Sequence, residues 1–173
     1  MYGTIDKGQK QSFFRHLQEL RNRIIISLIA VCVAFVITYA FRNRIFLFLM
    51  EPFSKVMPPE SSFIFTGVTE AFTTYIKISI VSSIVLSLPV ILHQFWIFVS
   101  PGLYEHEKKY VYPFIIWASI CFIAGALFCY FLVMPIVYRF FAGYATELIV
   151  PMPDLRSYVN LSLKMLVAVG LIF

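Results

Sequence analysis

Charged residues are scarce in this chain, and apolar residues are abundant. Only 13% of the residues are charged, against about 25% in soluble domains, while 60% are hydrophobic. A soluble domain of 173 residues cannot bury so much apolar surface, so the composition indicates an integral membrane protein. The net charge of +5 comes without a basic stripe, which favours loop charge that orients the chain in a bilayer over nucleic-acid binding.

The sequence also lacks the residue groupings that carry most enzyme chemistry. Its three cysteines lie in apolar segments, and no Cys/His cluster has metal-ligand spacing. The three histidines are scattered, neither Gly-x-Ser-x-Gly nor His-Glu-x-x-His occurs, and the seven glycines are too dispersed for a nucleotide loop. We therefore predict no catalytic residues, no metal, no cofactor and no enzymatic role.

Long apolar runs alternate with mixed segments. Spans are predicted at residues 24–41, 71–99, 111–138 and 158–173. The last run is shorter than the roughly 20 residues that a span needs, so residues 1–173 are expected to form one membrane domain of a truncated copy. Pro89 and Pro135 predict kinks. The predicted fold is an all-α polytopic transmembrane helical bundle with kinked helices.

Shorter patterns predict how the spans begin and pack. Residues 12–23 carry an apolar stripe beside a ladder of charges, typical of an amphipathic helix that lies in the interface and runs into the first span. A short helix at 46–50 should end before Pro52. Glu70 is expected to cap the second span. In the third span a small-residue stripe permits close approach of a neighbouring helix; it consists of Cys121, Gly125 and Cys129.

Basic residues predict the orientation of the chain. One side holds Lys7, Lys10, Arg15, Arg21, Arg23, Lys108 and Lys109, and the other holds Arg42, Arg44, Lys55, Arg139 and Arg156. Since basic loops stay on the cytoplasmic side, the N-terminus and the 99–110 loop are placed in the cytoplasm or its equivalent.

Two carboxylate positions on that side are candidates for ligand binding. Glu19 precedes the first span and could receive an arginine from a ligand, or it could form an internal salt bridge with Arg15 or Arg23. Glu107 belongs with Glu105 to the charged corner 98–109, and the alternative there is a solvated turn neutralised by neighbouring lysines. At this corner Phe98 could pack against an apolar ligand segment, and Pro101 with Gly102 can rigidify the chain. 

These segments resemble the TatC family, the large subunit of the twin-arginine protein translocase. The motifs that carry the resemblance are His16-Leu17-Gln18-Glu19-Leu20-Arg21-Asn22-Arg23, the run from Leu88 through Gln94, Phe98, Pro101, Tyr104, Glu105 and Glu107 to Lys109, Thr69-Glu70-Ala71-Phe72, and Tyr130-Phe131-Leu132-Val133-Met134-Pro135. They keep the family order from about residue 12 to the end of the sequence.

The resemblance implies a receptor for signal peptides with paired arginines, which passes folded proteins across an energised membrane. It implies binding residues Glu19, Phe98 and Glu107, supported by Arg21, Arg23, Pro52, Gln94, Pro101, Tyr104 and Glu105. It further implies TatA- and TatB-type single-span partners, a homo-oligomer within a complex, and a bacterial plasma membrane or equivalent organelle membrane.

The family has six spans, about four of which are visible here. Gly170-Leu171-Ile172-Phe173 ends the sequence just before the position where the family carries a buried glutamate. Two alternatives to the receptor remain: a purely structural membrane subunit, and a small-molecule transporter, which would need a polar cavity near mid-membrane.

Overall fold

The described part of the chain is built from helices. The computed structural model describes residues 5–56, 67–99, 110–143 and 154–173, with side chains from residue 16 onward. Its helices are α1 (Ile5–Ala40), α2 (Arg42–Ser54), α3 (Glu70–Val99), α4 (Val111–Phe128), α5 (Met134–Ala142) and α6 (Leu155–Ile172), and a π-helical turn at Cys129–Val133 joins α4 to α5.

Four helical stretches in these ranges are long and apolar enough to cross a membrane. They are His16–Ala40, Glu70–Val99, Val111–Ala142 and Leu155–Ile172. Many large apolar side chains on them are exposed, as lipid-facing side chains are. The prediction of an all-helical membrane bundle is confirmed, and the protein is a multi-pass membrane protein.

The first helix is longer than its apolar run. The helix predicted to run from residue 12 into the first span is continuous in the structure, from Ile5 to Ala40. No proline interrupts this stretch, so nothing forces the backbone to break where the polar segment meets the span.

Helices α1 and α3 pack through a stripe of small residues on α3. Ser79, Ser83 and Ser87 recur every fourth residue and are buried. The Thr38 hydroxyl donates to the Ser79 carbonyl at 3.0 Å, and the Ser87 hydroxyl donates to the Ala30 carbonyl at 3.3 Å. Small side chains let two backbones approach closely enough for such bonds. The sequence analysis had singled out only the stripe on the third span.

Helix α2 runs through Pro52 to Ser54, so the expected end before Pro52 is wrong. A proline inside a helix leaves the carbonyl four residues earlier without its N–H partner. That carbonyl belongs to Phe48, and it accepts a hydrogen bond from the Tyr130 hydroxyl at 2.7 Å. A side chain from the third span thus satisfies the group that would otherwise disfavour the helix.

The two prolines predicted to kink the spans lie in different surroundings. Pro89 lies inside α3, which continues from Glu70 to Val99. Pro135 lies in the first turn of α5, directly after the π-helical turn. A π turn changes the register of backbone hydrogen bonds, which is a recognised source of irregularity in a long helix.

Glu70 joins the N-termini of α3 and α6. Its buried carboxylate accepts from the Gly67 amide at 3.2 Å and from the Arg156 amide at 2.9 Å. It therefore binds the turn before its own helix and the first turn of α6, rather than only capping α3. A hydrogen bond with Glu70, followed by those with Ser157, lowers the pKa of the α6 cap residue Asp154.

The predicted small-residue stripe of the third span lies partly against α6. Cys129 is fully buried, whereas Cys121 is exposed. A Cβ atom added at Gly125 would lie 2.7 Å from the Phe173 Cβ and 3.1 Å from the Val169 carbonyl oxygen. Only glycine fits at position 125 without displacing α6.

Gly125→Ala is expected to lower the free energy of unfolding, because overpacking a close contact costs about 1–3 kcal/mol, more than the gain of about 0.5–1 kcal/mol from replacing a helical glycine. Gly67→Ala is the control, since a Cβ atom there meets nothing within 4 Å. Thermal unfolding of the full-length protein in mild detergent would measure both. Equal stability of the two variants would contradict the close contact.

Candidate functional site

The candidate site lies where the N-terminal part of α1 meets the C-terminal end of α3. Arg23 connects the two helices: its guanidinium donates to the Glu19 carboxylate at 3.3 Å and to the Gln94 side-chain carbonyl at 3.3 Å. Glu19 and Arg23 are one helical turn apart, so α1 itself brings them together. Gln94 is buried and lies on α3, whereas Glu19 and Arg23 both lie on α1.

Glu19 is therefore paired in the structure, but it is still accessible. The side chains of Glu19 and Arg23 retain 35% and 28% exposure. One nitrogen of the guanidinium, Nε of Arg23, is buried and has no hydrogen-bond partner in the part of the chain that the structure describes. The internal salt bridge that sequence spacing offered as an alternative is present with Arg23, and such a half-exposed pair contributes little to stability.

Phe98 contacts α1 one turn before the carboxylate. Its ring stacks on the imidazole of His16, with ring centroids 4.4 Å apart and an angle of 23° between the planes. His16, Glu19 and Arg23 lie on one face of α1, because spacings of three and four residues fall on the same side of a helix. Phe98 and Gln94, four residues apart, do the same on α3.

A small apolar cavity of about 230 Å³ lies beside this cluster. It lies between α1 and α3 and extends from Arg23 and Gln94 to Phe98. The apolar side chains that line it are Leu20, Ile24, Ile91 and Phe95. The site thus places a half-exposed carboxylate next to an apolar recess, which suits a ligand with a cationic group followed by a large apolar group.

The remaining predicted site residues are distributed as follows. Arg21 is exposed on α1 and makes none of the contacts described above. Pro52 is buried in α2, at the opposite end of the bundle. Four predicted residues lie outside the described residues: Pro101, Tyr104, Glu105 and Glu107.

His16 is the contact that sequence reasoning missed. It had been grouped with the other histidines as unpaired with any reactive group. The available signal was its position three residues before Glu19, which puts it on the same helix face. Its partner Phe98 is distant in sequence, so the stacking could not be read from local spacing.

The fold and the site define the class of this protein. It is a polytopic α-helical membrane protein with charged side chains at one end of the bundle. Residues 15–173 match the family model of the Sec-independent protein translocase protein, TatC. The chain belongs to the TatC family.

Several curated TatC proteins are similar over nearly the whole chain. The protein of Desulforapulum autotrophicum is 43% identical over 95% of this chain and 61% of its own length. Those of Haemophilus influenzae and Escherichia coli K12 are 36% and 37% identical, over 95% and 94% of this chain and 64% and 63% of their own lengths. The chain therefore spans less than two thirds of the length of these relatives.

Solved structures show the same fold. A crystal structure of the twin-arginine translocase receptor TatC superposes with a TM-score of 0.81 and 38% identity, over 90% of this chain and 69% of the other. A second crystal structure of that receptor, in the detergent DDM, gives 0.80 and 39% over the same shares.

Proposed function

We propose that this protein is the signal-peptide receptor of a twin-arginine translocase, and that it binds paired arginines and nucleates the complex that exports folded proteins. The observation that carries the proposal is the half-exposed Glu19 carboxylate, which pairs with Arg23 and lies on the same face of α1 as His16, the stacking partner of Phe98. A carboxylate in a partly dehydrated interface makes strong, directional bonds with a guanidinium. The role is recognition and transport, without catalysis.

Glu107 is proposed as the second carboxylate, for the second arginine of the ligand. It belongs to the segment that joins α3 to α4, and α3 ends directly after Phe98. This segment leaves α3 at the end of the bundle that carries Glu19, which supports the proposal. Pro101, Tyr104 and Glu105 belong to the same segment and are proposed to support it.

Binding at Glu19 is proposed to be an exchange between Arg23 and an arginine of the ligand. In the free receptor the guanidinium of Arg23 already occupies one oxygen of Glu19. A ligand arginine either replaces Arg23, which then keeps its bond to Gln94, or shares the carboxylate with it. The adjacent apolar cavity would receive a large side chain that follows the arginines.

The orientation and partners follow from the same proposal. The N-terminus and the Glu19 end of the bundle face the cytoplasm, because the basic residues are more numerous on that side. The membrane is the bacterial plasma membrane or its organelle equivalent. TatA- and TatB-type single-span subunits would dock on the exposed apolar faces of the spans, within a complex that contains more than one copy of the receptor.

The test is a comparison of two ligands. A labelled signal peptide with paired arginines is expected to bind the detergent-solubilised full-length protein at least about tenfold more tightly than the same peptide with paired lysines, because lysine cannot make the planar bidentate contact. The substitution keeps the charge, so a simple electrostatic attraction would not separate the two peptides.

Equal affinity for the two peptides, both alone and with a TatB-type subunit present, would overturn the proposal and favour a purely structural subunit. A transporter would need a polar cavity near mid-membrane. The cavity of about 370 Å³ between α1, α2, α3, α4 and α6 does not provide one, because it is lined almost entirely by apolar side chains.

A further inference from the structure

Two lysines of the candidate spans lie on one groove between α3 and α6. Lys77 is on α3 and Lys164 is on α6, and both line a cavity of about 610 Å³. Charged side chains within membrane spans are costly and rarely lack a function. The sequence alone allowed each lysine to extend separately to an interface; the structure places them in the same groove.

Asn160 binds one of the two ammonium groups and lies one helical turn from the other lysine. Lys77 Nζ donates to Asn160 Oδ1 at 3.2 Å, which leaves two of its three N–H groups for another acceptor. Lys164 follows Asn160 by four residues on α6, so it lies on the same helix face one turn further along. It is exposed, and it forms no hydrogen bond or ion pair within the described part of the chain.

Among the described residues, the groove contains no charge that would neutralise the lysines. Its other lining residues among those described are Ile80, Val81, Leu163, Val167, Ala168 and Leu171. With a rise of 1.5 Å per residue, Lys77 lies about 10 Å and Lys164 about 14 Å from the first residue of its helix. Long lysine side chains extend towards the nearer interface, so both ammonium groups can reach the level of the lipid phosphates on the side of the membrane where α3 and α6 begin.

We propose that this groove is a binding site for one anionic phospholipid. The phosphate of the headgroup accepts hydrogen bonds from Lys77 and Lys164, and an acyl chain lies along the apolar wall that α3 and α6 form. Two positive charges on one groove beside the headgroup region favour an anion, and an anionic lipid headgroup is the anion that the membrane itself supplies there. The apolar lining fits the acyl chain and gives the site an amphipathic character that matches a lipid.

The test is native mass spectrometry of the delipidated full-length protein with phosphatidylglycerol or phosphatidylcholine added at equal concentration. We expect one molecule of phosphatidylglycerol to bind preferentially. Lys77→Gln and Lys164→Gln should each reduce the preference about fivefold, the effect of one basic residue on an anionic lipid. Lys55→Gln is the matched control, because Lys55 is exposed outside the spans and pairs with Glu51.

Lys164→Arg should retain the preference for phosphatidylglycerol, which separates a loss of charge from a loss of folding. An equal affinity of the wild type for the two lipids, or an unchanged preference in both glutamine variants, would overturn the proposal. A carboxylate on a partner helix could instead occupy the groove. Lys164→Gln would then release that subunit during purification, and the wild type would show no lipid preference. This result would also overturn the lipid proposal.

Discussion

Replacing Glu19 by lysine is expected to abolish measurable binding of a twin-arginine signal peptide to the full-length receptor. A hydrogen bond to a charged group contributes about 1.5–3 kcal/mol, so Glu19→Gln should weaken binding about 10- to 150-fold. The lysine variant adds repulsion towards the ligand arginine and towards Arg23, whose guanidinium lies 3.3 Å from the Glu19 carboxylate in the wild type. Glu107→Lys is expected to have the same effect on the second arginine. Fluorescence anisotropy of a labelled peptide would measure all three variants at physiological salt.

Gln18→Ala is the control for this experiment, because Gln18 is the exposed neighbour of Glu19 on α1. It should bind the peptide as the wild type does. Arg23→Gln gives a second check on the exchange: it removes the internal partner of Glu19 while the carboxylate remains. If Glu19→Lys and Glu107→Lys both retain wild-type affinity, neither carboxylate binds the ligand arginines, and the site must be sought elsewhere in the complex.

Helices that depend on local pattern could be predicted from the sequence. Long apolar runs gave the membrane bundle, because a bilayer requires about 20 apolar residues in each span. Gly125 and Cys129 were singled out correctly as a close-packing face. The equivalent stripe on α3 could have been predicted by the same rule, since Ser79 and Ser83 repeat at the same spacing. It was missed because serine is less conspicuous than glycine in an apolar run.

The course of α2 could not be predicted from its own residues. Local rules place a helix end before Pro52, but a hydrogen bond from the Tyr130 hydroxyl overrides them. Tyr130 also contacts Glu51, which lies 79 positions earlier in the sequence. The Tyr130 hydroxyl satisfies the Phe48 carbonyl that proline leaves open. No periodicity in residues 42–54 contains that information.

In the candidate site, too, local contacts could be predicted from the sequence and contacts between helices could not. The Glu19–Arg23 pair was one of two local alternatives that spacing allowed. The bond from Arg23 to Gln94 joins residues 71 positions apart, and the His16–Phe98 stacking also crosses from α1 to α3. Both contacts depend on how the two helices align, which follows from the buried serines of α3 and not from the residues of the site.

Tyr158→Ala is expected to destabilise the protein most among the core substitutions, by about 3–5 kcal/mol, the usual cost of removing a large buried aromatic side chain. Tyr158 is 5% exposed and holds α6 against α2. Its hydroxyl donates to the Leu49 carbonyl at 2.8 Å, and its ring packs edge-on against Phe53 at 5.0 Å and stacks on Tyr138 at 5.1 Å. Equilibrium unfolding in a detergent mixture of increasing denaturant content would give the free energy of unfolding.

Two further variants separate the ring of Tyr158 from its hydroxyl. Tyr158→Phe keeps the aromatic packing and loses the hydroxyl with its hydrogen bond to α2, so it should cost about 1 kcal/mol. Tyr112→Ala removes the same side chain from a position that is 65% exposed, and it should have little effect. If Tyr158→Ala costs no more than Tyr112→Ala, the aromatic cluster between α2 and α6 does not stabilise the bundle. If Tyr158→Phe costs as much as Tyr158→Ala, the hydrogen bond to the backbone of α2 contributes more to stability than the packing of the ring does.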